Sequence, residues 1–438
     1  MKKRNVILCG AGGREFQNFI MKYRDNPYYD VKCFTAAQIP NIEKRKFPKE
    51  LAGRLYKKDI PIFSEDILPE LIKKYEINDV VLSYSDLSHL DVMHKASVVL
   101  ANGANFVLLG PKDTMLESKK SIIAVCAVRT GAGKSQTSRR IVDILRKYKK
   151  KVVVVRHPMP YGNLIKQKWQ RFETYDDLIK QKCTIEEHEE YDAWISRKVV
   201  VYAGVDYKEI LRRAEKEADI IVWDGGNNDF SFFKPDLLIT VADPFRPGHE
   251  LLYYPGETNF RMADVIIINK VNTAPKSGVK EILNNIKIAN NKAIVIKANS
   301  ELICHQAKLI RNKKVIVVED GPTLTHGGMK YGAGYIVAKK NNARIIDARK
   351  HAVGSIKEVF KKYPHLDGVL PAMGYSKEQI KELEDTINKA DCDYVVDGTP
   401  TNLNRVIKVN KPIIDVDYEL KELGKINLEK VLRKYKLI

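Results

Sequence analysis

The sequence predicts an α/β protein: an N-terminal Rossmann-like domain, a P-loop NTPase domain with a mostly parallel, doubly wound sheet, and a C-terminal α/β region. Three observations predict it. Apolar runs of strand length alternate with helical patterns along nearly the whole chain, as parallel sheets wrapped by helices require. One such run, 122–128, leads into Arg129-Thr-Gly-Ala-Gly-Lys-Ser135 and then a helical pattern. Another, 219–224, ends in Asp224-Gly-Gly. The expected boundaries are 1–117, 118–310 and 311–438, the last of which can extend the central domain's own sheet.

Bulk properties narrow the class. The chain has 438 residues, 44% apolar and 30% charged, enough for two or three domains with their own cores. Its longest apolar runs, such as 152–155 and 265–268, fall far below a membrane span. The opening Met-Lys-Lys-Arg resembles a signal start, but the apolar run after it stops at Gly10. It reads as a first strand, and a cytoplasmic protein without a membrane partner is expected. Six cysteines without a Cys-x-x-Cys pair argue against a disulfide framework and a zinc cluster. A net charge of +20 fits a nucleic acid, a highly anionic small substrate, or the Lys-rich surface of a heat-adapted protein. The basic runs sit at helix ends and turns, and no nucleic-acid-binding signature is present. The expected partners are therefore a small anionic phosphorylated substrate and no specific nucleic acid, in a homo-oligomer, a dimer.

In the first region, 5–9, 31–35, 79–83 and 106–109 read as strands, with helices over 16–24, 67–75 and 94–102. Gly10-x-Gly12 after the first strand suggests a dinucleotide fold, but Glu15 stands where the third glycine belongs and no acidic residue ends the second strand. That argues against NAD. The loop can hold a phosphate or simply make a tight turn.

The second region holds the chemistry. Thr130, Gly131, Ala132, Gly133, Lys134, Ser135 and Gln136 form the expected phosphate cradle: the glycines let successive N–H groups face a phosphate, and the helix start adds its positive end. Lys134 would reach the β/γ-phosphates, and Ser135 would hold Mg²⁺. The usual first glycine of such a loop is Val128 here. Asp224, ending a four-residue apolar run, is placed to hold Mg²⁺ through water. Arg156 and His157 follow the strand 151–155, Arg246 and His249 follow 237–241, and Arg261 precedes 264–268. All are cationic groups at or near strand ends, where α/β sheets bind ligands. Asn269-Lys-Val-Asn272 occupies the place of a guanine-reading Asn-Lys-x-Asp motif. Asn272 lacks the carboxylate that accepts two guanine N–H bonds, so ATP is expected rather than GTP, with Lys270 along the purine. Residues 163–198 read as charged and helical.

The third region opens with strand 315–318 and Glu319-Asp-Gly-Pro-Thr-Leu-Thr-His326. Thr323, Thr325, His326 and Lys330 suit anion recognition, and Glu319 a metal. Alternation then resumes with helices 352–362, 377–390 and 402–407 and strands 368–370, 394–396 and 412–416.

Together, Arg129-Thr-Gly-Ala-Gly-Lys-Ser135, Arg156-His-Pro-Met-Pro-Tyr-Gly162, Asp224-Gly-Gly-Asn-Asn-Asp229, Asn269-Lys270 and Glu319-Asp-Gly-Pro-Thr-Leu-Thr-His326 resemble archaeal cyclic 2,3-diphosphoglycerate synthetase and its predicted GTPase relatives. The resemblance spans nearly the whole chain. It implies an archaeal source and an ATP- and Mg²⁺-dependent ligase that closes 2,3-diphosphoglycerate into an intramolecular phosphoanhydride, releasing ADP and phosphate. On that reading Lys134, Arg129, Asp224, Arg156 and His157 are catalytic. Arg246, His249, Arg261, Thr323, Thr325, His326 and Lys330 hold the polyanion, and Ser135, Asp224 and Glu319 hold the metal. The alternatives are a regulatory or metallochaperone P-loop GTPase or ATPase, a kinase or ligase acting on another small anion, and a nucleic-acid-binding NTPase.

Overall fold

A computed structural model describes residues 3–37, 45–157, 162–183, 185–325, 328–372, 377–399 and 403–438. The chain divides into two compact units: residues 1–172, 199–298 and 422–438 form the first, and residues 173–198 and 299–421 the second.

The first unit contains a six-stranded sheet in the order Lys46–Phe47, Ile60–Ser64, Tyr29–Ala36, Arg4–Cys9, Asp79–Leu82, Asn105–Leu108. It is parallel except for its first pair. Residues 14–23 form a short helix, Arg14–Asn18, continued by the π-turn Phe19–Tyr23. Phe16, Phe19, Phe34 and Phe47 pack there edge to face or tilted, with centroids 4.8–5.8 Å apart. The Gly10–Gly13 turn is occupied by a side chain of the protein itself. Glu15 folds back so that Gly13 N–H donates to its carboxylate, and a Cβ on Gly10 would fall 2.7 Å from Glu15 Oε2. The residue that breaks the dinucleotide pattern thus fills the turn with its own carboxyl group. Burial raises its pKa to about 7 against the pull of those amides.

The second sheet has nine strands in the order Gln170–Phe172, Val200–Ala203, Val152–Arg156, Ile220–Asp224, Ser121–Ala127, Leu237–Ala242, Val265–Ile268, Ile294–Ile303, Asp417–Leu423. Its central strands are parallel. They are buried throughout, which is why they read as unbroken apolar runs instead of alternating ones. From Ser121–Ala127 the chain crosses through helix Lys134–Lys147 to Val152–Arg156 on one side. It later reaches Leu237–Ala242 on the other side. The glycine loop therefore sits where the strand order reverses, the place where open α/β sheets form a crevice at their carboxyl ends. Helix Lys134–Lys147 turns Ile141, Val142, Ile144 and Leu145 inward.

The second unit is built on a smaller parallel sheet, Arg344–Ile345, Lys314–Asp320, Tyr394–Gly398, Ile413–Asp415, with Leu370–Ala372 also paired to Lys314–Asp320. Helices Ala333–Lys340, Ser355–Lys362 and Lys377–Lys389 accompany it. The region expected as charged and helical, 163–198, holds helices Tyr175–Lys180 and Ile185–Ile195, preceded by the edge strand Gln170–Phe172.

Candidate active site

The glycine loop is fixed by its carbonyl groups. Asn228 Nδ2 donates to Val128 O at 3.1 Å, Arg246 Nη2 to Thr130 O at 2.6 Å, Lys270 Nζ to Gly131 O at 2.7 Å and Asn269 Nδ2 to Ala132 O at 3.0 Å. In a trans peptide the C=O and the following N–H point oppositely. Pinning Thr130 O and Ala132 O outward therefore turns the N–H groups of Gly131 and Gly133 the other way, as an anion nest needs. Gly133 stands at φ +111° before helix Lys134–Lys147, and a Cβ there would lie 2.0 Å from Asn269 Nδ2. Only glycine fits that position.

The pinning residues are themselves held. Asp243, almost wholly buried, accepts from Arg246 Nη2 at 2.8 Å and from Lys270 Nζ at 3.0 Å. Burial alone would raise its pKa, but these two cations hold it below the usual carboxylate range. Arg246, expected to grip substrate, and Asn269 and Lys270, expected at the purine, all spend these donors on the loop backbone.

Lys134 points to Asp224. Its Nζ lies 3.2 Å from Asp224 Oδ1, which Ser138 Oγ also reaches at 2.8 Å, while Arg156 Nη1 binds Oδ2. Asp224 is fully buried. Burial opposes its charge, yet Arg156 and Lys134 keep its pKa lowered. Burial in turn lowers the pKa of Lys134, with Asp224 acting against it. Ser135 is exposed on the first turn and Gln136 buried beside it.

His157 lies against Gly226 and 3.5 Å from Asp229 Oδ2, and its Nδ1 has no hydrogen-bond partner. Burial, together with the charges of Arg14, Arg156 and Lys134, lowers its pKa to about 3, so the imidazole is neutral. Arg14, from the six-stranded sheet's first helix, pairs with Asp229 and donates to Phe230 O at 2.6 Å. Arg129 binds Asp86 Oδ1 at 2.7 Å, meets His249 Nδ1 at 2.9 Å, and lies 3.7 Å above the Tyr253 ring. Asp86 also accepts from Thr130 Oγ1 at 2.8 Å. Nothing in the local sequence marks Arg14, which opens a helix, or Asp86, which follows a strand: their partners are distant along the chain.

The remaining predicted residues make contacts of their own. Arg261 is exposed and pairs with Glu257 one helical turn away, at 2.6 Å. In the second unit, Glu319 is buried and accepts from Tyr335 N–H at 2.8 Å, and its pKa is raised to about 7 by burial. Thr325 Oγ1 donates to Gly321 O at 2.8 Å, and Lys330 is exposed. His326 and the side chain of Thr323 lie outside the described residues. The predicted metal set is split between the units, with Ser135 and Asp224 in the first and Glu319 in the second. Among the described residues no group of three or more His, Cys, Asp or Glu side chains is placed to hold a metal ion. Nor is any helix among them long and apolar enough to cross a membrane.

Fold and site together define a mixed α/β protein with parallel-rich sheets and a braced glycine loop at a strand-order reversal. The chain is 59% identical over 435 residues to the arginine synthetase ArcE of Thermococcus kodakarensis, covering 99% of this chain and 97% of that one, and it belongs to that family. It is a ligase of the synthetase class. No protein-family model matches it. Among solved structures it is similar to a UDP-N-acetylmuramate:L-alanyl-γ-D-glutamyl-meso-diaminopimelate ligase of Neisseria meningitides, with TM-score 0.28, 10% identity, 68% of this chain and 80% of that one. It is also similar to a DUF1611 family protein of Anabaena variabilis, with TM-score 0.24, 10% identity, 67% of this chain and 95% of that one. Likeness at that level says nothing about chemistry.

Membership in the arginine synthetase family overturns the resemblance to cyclic 2,3-diphosphoglycerate synthetase, and with it the cyclisation of 2,3-diphosphoglycerate. Three of the motifs that carried the resemblance, Arg129–Ser135, Asp224–Asp229 through its Asn228, and Asn269-Lys270, build the loop and its bracing, which any acceptor could use. Three arginines assigned to the polyanion or its chemistry, Arg129, Arg156 and Arg246, are each paired with a carboxylate of the chain.

Proposed function

We propose that the chain is an ATP- and Mg²⁺-dependent ligase that completes the guanidinium group of arginine, using a P-loop NTPase core. The observation that carries the proposal is the braced loop beside Lys134 and Asp224, in a relative of a protein named for arginine synthesis. The chemistry follows from the product. A guanidinium carbon bears three nitrogens, and the simplest single ligation reaching it replaces the oxygen of a ureido group. That oxygen leaves only after activation. Transfer of the γ-phosphoryl group to it gives an O-phosphorylated isourea and ADP. A nitrogen nucleophile then adds to the carbon and phosphate departs. For an unsubstituted arginine the nucleophile is ammonia, and the sum is ATP, ammonia and a ureido amino acid giving arginine, ADP and phosphate.

On this proposal Lys134 exchanges Asp224 for the β/γ-phosphates, and the Gly131 and Gly133 N–H groups bind the same oxygens. Ser135 fits a direct Mg²⁺ ligand. Asp224, both of whose oxygens are engaged, fits an acceptor for metal-bound water. The metal supplies neutralisation of phosphate charge. The neutral His157 can accept an N–H from the nucleophile without repelling an incoming cation. ATP remains the expected nucleotide because Asn272 cannot read guanine as a carboxylate does.

Purified protein given ATP, Mg²⁺, ammonium and a ureido amino acid should yield arginine and phosphate in equal amounts, and neither when any one component is left out. ATP consumption that proceeds equally well without the amino acid, with no arginine formed, would overturn the proposal.

A further inference from the structure

Helix His89–Ala101 and the strand after it, Asn105–Leu108, have an uncovered apolar side. The helix packs Val92, Ala96 and Val99 against the six-stranded sheet. Outside that buried stripe it carries Leu90, Met93 and Leu100, which are 66%, 60% and 59% exposed, and the exposed Val98. A helix apolar outside its buried stripe as well belongs in an interior. Asn105–Leu108 is the last strand of its sheet, pairing among the described residues only with Asp79–Leu82, and its Leu108 is exposed as well. An open edge next to an apolar helix face is normally covered.

Charge indicates what covers it. The chain carries 75 Lys and Arg against 55 Asp and Glu, +20 overall, so two copies repel over most of their surface. Across residues 88–108 the only Lys or Arg is Lys95, beside His89 and His94, and it is tied to Glu65. An acidic partner would choose the basic surface elsewhere. A neutral, apolar face with a free strand edge suits a partner that is itself strongly cationic, and an identical copy meets that condition on both sides of a two-fold axis.

We infer that two copies of this chain associate through helix His89–Ala101 and the edge strand Asn105–Leu108, the two strands pairing antiparallel so that the six-stranded sheets join into one. The inference does not depend on the reaction catalysed. Sedimentation at micromolar concentration should give a species of twice the 50.0 kDa chain mass. The double variant Leu90→Glu/Leu100→Glu, whose sites face away from the core, should keep its circular dichroism while its dimer dissociation constant rises about 100-fold or more. Ile288→Glu, at an exposed apolar site on helix Lys276–Ala289, should remain dimeric. In wild-type protein the amides of residues 105–108 should exchange slowly, and in the double variant quickly. A monomeric wild-type protein, or a double variant that stays dimeric with its edge amides still protected, would overturn the inference.

Discussion

Lys134 is held beside Asp224 where burial disfavours its charge, so a phosphate that replaces the carboxylate meets an ammonium already stripped of most water. Lys134→Met should therefore lower kcat/KM for ATP by about 100-fold or more, the scale seen when one transition-state donor is lost, measured at a temperature where the variant is fully folded. Equal activity in the variant would remove Lys134 from the reaction. Glu15 gives a second test at this scale, because burial raises its pKa from 4.5 to about 7. The folded state then binds the proton more tightly than the unfolded chain. That stabilisation is complete below pH 4.5 and is lost as pH rises through 7, a difference of roughly 3 kcal/mol. Unfolding free energy measured in urea from pH 5 to 8 should fall more steeply for wild type than for Glu15→Gln. Parallel curves would mean that Glu15 titrates like an ordinary carboxyl.

The glycine loop acts as one element because four of its carbonyls are tied down from three directions. Loosening one tie should weaken nucleotide binding without unfolding the sheet. Asn269→Ala frees Ala132 O and should raise the KM for ATP about 10-fold, close to the worth of one buried hydrogen bond, leaving kcat within a few-fold. Gly133→Ala should do more, since the new Cβ would collide with Asn269 and the residue would be strained at positive φ; titration with a fluorescent ATP analogue should show no saturable binding. Elements of this kind are legible in sequence when burial is complete: Ser121–Ala127, Ile220–Asp224 and Val265–Ile268 are plain apolar runs. Asp417–Leu423 is an edge strand with alternating exposure, and the charges on its open side hide it. Ile294–Ile303 is interrupted by the exposed Lys297. The loop's bracing was legible only as residue types at strand ends. That Lys270 and Arg246 face the loop backbone follows from Asp243 lying between them, which no local pattern reveals.

Across the first unit, the six-stranded sheet supplies two groups to the neighbourhood of the loop: Asp86, which holds Arg129 and Thr130, and Arg14, which pairs with Asp229 across 215 residues of sequence. The N-terminal region therefore helps to hold the residues around the loop, while its own glycine turn is occupied by Glu15. Arg14 and Asp229 are both nearly inaccessible, and the Arg14 guanidinium also lies 4.7 Å from the Phe232 ring centroid. Removing one member of a buried pair strands the other charge, at about 3–5 kcal/mol, whereas removing both costs less than the sum. Arg14→Ala should thus destabilise the protein by about 3–5 kcal/mol in chemical denaturation. Asp229→Asn, which keeps an acceptor for Arg14, should cost less, and the double variant should show a coupling of about 1–3 kcal/mol. Because Asp229 also faces His157, Asp229→Asn should lower kcat under conditions where the protein remains fully folded. Additive losses in the cycle, with kcat unchanged in Asp229→Asn, would mean that the N-terminal region only covers the sheet and does not position its loops.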